Sequence, residues 1–152
     1  MIAAHVSYRN ECDFCQLSHS AAAAAHRNGN YDLVEQAKIN PERAGVSGKL
    51  KALLTIAGKV QQGGKQVATG DVERAKQEGA TDREIHDTVL IAAAFCMFNR
   101  YVDGRGRWRS RDYSLLVDSL LWTARLFDAV RVHLDFLCCR GSRRPCDLRP
   151  RL

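Results

Sequence analysis

Thr81-Asp82-Arg83-Glu84-Ile85-His86-Asp87-Thr88-Val89-Leu90-Ile91-Ala92-Ala93-Ala94-Phe95-Cys96-Met97-Phe98-Asn99-Arg100 is the stretch that decides the fold class. Thr81 and Glu84 have the spacing of a capping box, in which each side chain satisfies the other residue's otherwise unpaired amide. A helix therefore starts there. Ile85, Val89, Ile91, Ala92, Phe95 and Met97 carry it to about Arg100, and its centre is apolar enough to be buried all round. Thr88–Asn99 contains twelve uncharged residues, too short a run to span a bilayer.

Working outward, helical spacing recurs and strand alternation does not. Residues 2–8 read as the end of a helix. A second helix is expected from about Glu11 to Arg27, capped by Asn10 with Asp13 three residues on, and ended by Asn28-Gly29-Asn30. Tyr31–Ile39 is a short helix closed by Asn40-Pro41. Ser47 caps another, with Leu50, Leu53, Leu54, Ala57 and Val60 on one face, and Gly63-Gly64 breaks it. Asp71–Glu78 is short and stops at Gly79. A Gly/Arg loop covers 103–110. A last amphipathic helix is expected over about Asp112–Leu137. Its charges at Asp118, Arg125, Asp128, Arg131 and Asp135 lie opposite Leu116, Leu120, Trp122, Phe127, Val130, Leu134 and Leu137. The expected class is all-α.

The 152 residues suit one domain with a real core, and 45% hydrophobic with 26% charged residues excludes a disordered or fibrous chain. Six cysteines are too few for a disulfide-stapled secreted scaffold. Met1-Ile2-Ala3-Ala4-His5 lacks the basic start and apolar run of an export signal, so a cytoplasmic protein is expected. The net charge of +6 is uneven: residues 1–104 balance twelve basic against twelve acidic groups, and 105–152 carry eleven Arg against five Asp. The Arg-rich tail Arg140–Arg151 reads as solvated. No aromatic residue follows Phe136, so no stacking platform for nucleic acid accompanies the tail. The mixed signs on the last helix argue against a membrane surface. Neither nucleic acid nor membrane is an expected partner.

The chemistry lies in Cys12-Asp13-Phe14-Cys15-Gln16-Leu17-Ser18-His19. Two cysteines three apart at a helix start have Cα atoms about 5 Å apart, within reach of a disulfide. The helix start favours thiolate, while Glu11 and Asp13 oppose it. His19 falls one turn below Cys15 and can take or relay a thiol proton. A second reading treats Cys12, Cys15 and His19 as a zinc-binding or non-enzymatic redox module completed by an outside ligand. His26 lies about 21 Å along the helix from Cys12 and reads as a surface residue. His5 and His86 read as structural, Cys96 as a buried inert thiol, and Cys138, Cys139 and Cys146 carry no assignment.

C-x-x-C-x-x-x-H at a helix start in an all-helical chain resembles the alkylhydroperoxidase D / carboxymuconolactone decarboxylase family, in particular its peroxidase-related branch. Ile2-Ala3-Ala4-His5-Val6-Ser7, Leu50–Ala57, Gly79-Ala80-Thr81-Asp82-Arg83-Glu84-Ile85 and Phe95–Gly104 read like that family too. The resemblance covers about residues 1–104, an alkylhydroperoxidase D-like core, and leaves 105–152 as an Arg-rich extension with one amphipathic helix and a basic tail.

The resemblance implies a helical bundle assembling as a homo-oligomer, a trimer or hexamer, with thiol-dependent peroxidase activity and no cofactor or metal. Cys15 would be peroxidatic, Cys12 resolving, and His19 part of the proton relay. The substrate would be a hydroperoxide, and the disulfide would be reopened by a dithiol reductant, in the best-known members a lipoyl-bearing protein. Two features depart from the pattern. The relay glutamate stands twelve residues before the first cysteine, a place just ahead of Met1, so the chain as given is expected to turn over about 10²-fold more slowly. Phe14 stands where well-studied relatives have a histidine.

Overall fold

The capping box forms as spaced. The Thr81 amide donates to Glu84 Oε2 at 2.8 Å, and the Glu84 amide donates to the Thr81 hydroxyl at 3.2 Å. The computed structural model describes residues 1–104, which lie within one unit of the chain, Met1–Ser110. The expected last helix, the Arg-rich tail and Cys138, Cys139 and Cys146 lie outside the described residues.

Six α-helices make up the described fold: α1 Ile2–Arg9, α2 Asp13–Ala25, α3 Tyr31–Ile39, α4 Gly48–Gln62, α5 Thr69–Gln77 and α6 Asp82–Gly104. Among the described residues none is long and apolar enough to cross a membrane. Local chemistry sets most boundaries. Asn30 accepts from the Leu33 amide at 2.9 Å, and Ser47 accepts from the Leu50 amide at 3.3 Å. The α5 helix starts two residues earlier than its periodicity implies, because Asp71 accepts from the Ala68 amide at 2.8 Å and pairs with Lys59 at 2.6 Å. Gly79, at φ 85°, ends it where a side chain would strain the left-handed turn.

The α1 helix, where the sequence reads as the end of a helix, lies at the centre of the packing. It contacts α2, α3, α4 and α6. Ala4, His5, Val6 and Ser7 are all buried, and four consecutive residues cover the full circumference of a helix. His5 Nδ1 therefore needs a partner inside, and donates to the Lys38 carbonyl at 2.8 Å. Leu54, Ile56 and Ala57 of α4 pack fully buried in the same interior.

The α6 helix departs from expectation in two ways. It runs four residues beyond Arg100, and it is buried on one side only. Ile85, Thr88, Ala92, Phe95, Asn99 and Val102 face inward, while Val89 is 37% exposed and Met97 56% exposed. Its inner face packs mainly on α1 and α4, and two neighbours cannot enclose a helix. The stretch is apolar on every side, but the described fold covers only part of it.

The Asn99 carboxamide ties α6 to α1. It is fully buried, its Oδ1 accepts from Asn10 Nδ2 at 2.7 Å, and its Nδ2 donates to the Ser7 hydroxyl at 3.1 Å. Gln61 of α4 joins by donating to Asn10 Oδ1 at 3.0 Å. Such a chain stabilises only while every member is paired, since a buried amide without a partner pays its full desolvation cost. Asn99→Ala strands the Asn10 amide and the Ser7 hydroxyl together. Urea unfolding is expected to show a loss of about 2–3 kcal/mol, and a change below about 0.5 kcal/mol would contradict the network's role.

Candidate active site

Cys12 is held by the end of one helix and starts the next. Glu11, at φ 57°, takes the left-handed turn that ends α1. Its amide donates to the Tyr8 carbonyl at 3.0 Å, and the Cys12 amide donates to the Ser7 carbonyl at 3.1 Å. This is a Schellman arrangement, with a non-glycine residue at the strained place. Cys12 then serves as the N-cap of α2 with extended backbone, φ −87° and ψ 92°. Asn10, expected to be that cap, is the last residue of the α1 turn instead, and its side chain is engaged with Asn99 and Gln61.

Cys15 follows in the first turn of α2. Cys12 is fully buried, and Cys15 keeps 6% of its surface. Val102 of α6 and the half-buried Phe14 pack against the pair, so both sulfurs sit in an apolar cluster. Both are free thiols.

The two sulfurs are electrostatically unequal. The Cys12 S–H donates to the Cys15 sulfur, which holds the Cys15 thiol below its ordinary range; the Asn99 carboxamide also favours the anion, while burial and the Asp103 charge oppose it. Cys12 is pushed the other way, chiefly by that same shared proton and then by burial. The proton thus leaves Cys15 first and stays on Cys12. Cys15 is therefore the readier of the two to act as a nucleophile.

His19, the third residue of the motif, lies apart from this exchange. Its ring meets Phe95 edge to face at 4.6 Å between centroids, and Phe95 in turn meets Phe98. Among the described residues it makes no hydrogen bond to either sulfur. Burial holds its imidazole down to about 4, so the ring is neutral near pH 7. A neutral imidazole can accept a proton, and a cation there would be costly.

The sequence reading missed Asn99 and Asp103. Asn99, in the middle of an apolar helix, is the signal that was available, since a buried polar side chain implies a dedicated partner. Its partners, Ser7 and Asn10, lie at the end of α1 beside the cysteine motif, a placement that no local spacing reveals. Cys96 differs from expectation as well: it is only partly buried, and Asn10 Nδ2 approaches its sulfur at 3.8 Å. His26 is exposed as expected, and His86 lies at the surface 3.4 Å from Asp87. Among the described residues no group of three or more His, Cys, Asp or Glu side chains is arranged to hold a metal ion.

The fold has a likeness among solved structures. A crystal structure of an uncharacterized peroxidase-related protein from Silicibacter sp. TM1040 matches it with a TM-score of 0.62 and 29% sequence identity. The match covers 68% of this chain and 54% of that one, so the chain spans about half the length of that neighbour. No family model matches the chain, and no curated protein sequence matches it. The all-α class expected from the helical spacing is the one observed over the described residues, and this solved neighbour is peroxidase-related.

The buried imidazoles make stability pH-dependent. Unfolded, each histidine titrates near 6.5; folded, His5 is held lower by burial and His19 is held at about 4. The unfolded chain therefore binds more protons below about pH 6.5, and stability is lost as the pH falls toward 4. Urea midpoints should drop between pH 7 and pH 5, with His19 accounting for about 1–2 kcal/mol. His19→Phe should flatten that slope; an unchanged slope would show that the ring is not held neutral.

Proposed function

We propose that this chain is a thiol-dependent peroxidase that reduces hydroperoxides through a Cys12–Cys15 disulfide. The observation that carries the reading is the inequality of the two sulfurs. Cys15 has the depressed thiol and the remaining exposure, while Cys12 keeps its proton and is fully buried. The peroxidase-related neighbour supports the same class of chemistry.

In this reading the Cys15 thiolate attacks the outer oxygen of a hydroperoxide. The S–O bond forms, the O–O bond breaks, and the departing alkoxide takes a proton to leave as the alcohol. Cys12 then attacks the Cys15 sulfenic acid; the S–S bond forms and water leaves. A dithiol reductant, such as a lipoyl-bearing protein, reopens the disulfide by exchange. As the family resemblance implies, His19, neutral and one helical turn below Cys15, would take part in the proton relay, without a direct hydrogen bond to either sulfur among the described residues. The apolar wall of Phe14 and Val102 favours an organic hydroperoxide over a charged one. The reading includes a homo-oligomer, a trimer or hexamer, and a cytoplasmic location.

The test is peroxide consumption with several dithiol donors. Cys15→Ser should lose at least about 10²-fold of the rate. Cys12→Ser should consume about one equivalent of peroxide, stop at the sulfenic acid and fail to turn over. Consumption that is unchanged in Cys15→Ser would overturn the reading.

A further inference from the structure

The second half of the proposed cycle needs a base. Cys12 is the harder of the two thiols to ionise, yet it must become a nucleophile to close the disulfide. In the reduced protein its proton lies between the two sulfurs. That arrangement ends when Cys15 is oxidised, because a neutral sulfenic sulfur is a much weaker acceptor than a thiolate.

The α6 helix brings a carboxylate to this point. Asn99 and Asp103 are four residues apart and so share a face of the helix. Val102 on the adjoining ridge packs against both Cys12 and Cys15. Asn99 donates to the Ser7 hydroxyl, and the Ser7 carbonyl accepts from the Cys12 amide, so the face of α6 that carries Asn99 and Asp103 meets the start of the cysteine motif. There the Asn99 carboxamide favours the Cys15 thiolate and the Asp103 carboxylate favours the protonated Cys12 thiol. Asp103 is exposed while Cys12 is fully buried, so the carboxylate links an enclosed S–H to solvent.

We infer that Asp103 is the catalytic base for disulfide closure: its carboxylate takes the Cys12 proton as the Cys12 sulfur attacks oxidised Cys15. The inference rests on the peroxidase reading for its physiological oxidant. The S–H bond of Cys12 breaks and its proton passes to Asp103. The S–S bond forms and the S–O bond of Cys15 breaks. The leaving hydroxide recovers that proton from Asp103 and departs as water. Asp103 ends as it began, and the hydroperoxide has supplied the oxidation. In the reduced protein the same negative charge opposes the Cys15 thiolate. Its removal therefore leaves the first step no slower while the second suffers.

The test separates the two steps in the full-length protein. Samples are oxidised, quenched with acid at intervals, alkylated and digested with trypsin, and the peptide Asn10–Arg27 is read by mass. Two oxidants are used: cumene hydroperoxide, with dimedone to trap the sulfenic acid, and an aromatic disulfide, which caps Cys15 with a thiopyridyl group that Cys12 displaces. Asp103→Asn should modify Cys15 at least as fast as the wild type and close the disulfide about 10²-fold more slowly. Its closure rate should climb with pH where that of the wild type is flat. Asp103→Glu should restore most of the closure rate. Closure in Asp103→Asn at the wild-type rate with either oxidant would overturn the inference. If the hydroperoxide fails to modify Cys15 but closure after thiopyridyl capping depends on Asp103, the base assignment stands and the peroxidase reading falls.

Discussion

The site depends on one buried carboxamide. Asn99 donates to the Ser7 hydroxyl and accepts from Asn10, and its carboxamide favours the Cys15 thiolate. Through these contacts it fixes α6 against the C-terminal end of α1, where the chain turns into the cysteine motif. In a small helical core the apolar contacts are plastic and several registers can bury similar area. A fully satisfied polar cluster admits fewer alternatives, because any slip leaves unpaired groups inside. Asn99 therefore sets which residues of α6 face the sulfurs, and with them the position of Val102 and Asp103.

Most of the helix boundaries were legible because their causes are local. Thr81 with Glu84, Ser47, Asn30 and Gly79 act on amides or carbonyls within a few residues of themselves, and the sequence displays both partners together. Asn10 looked like the same kind of cap and is not, since its side chain serves partners on α4 and α6 that lie far along the chain. The burial of α6 was misjudged for a related reason. Composition reveals how apolar a helix is, but the number of neighbours around it is a tertiary property. The same limit hid the central place of α1, whose Ala4–Ser7 turn is buried all round while Tyr8 and Arg9 stay exposed.

At the site, the sequence revealed the reacting atoms and not their surroundings. Cys12 and Cys15 fall together because three residues make nearly one helical turn. His19 follows one turn on by the same periodicity, and its ring packs edge to face on Phe95. Asn99, from the last described helix, bears on the Cys15 thiol as well. A chain-distant partner of this kind leaves only one trace in the sequence, a polar residue in an apolar run.

The double role of Cys12 in the backbone has a mechanical consequence. It closes the turn after α1 and opens α2 without itself having helical dihedrals. A covalent bridge from such a residue to one in the first turn encloses only two others, and a ring that small changes the freedom of the unfolded chain very little. Bridging would therefore stabilise the fold less than a disulfide closing a long loop does. The sulfurs could then change state many times without levering the bundle apart.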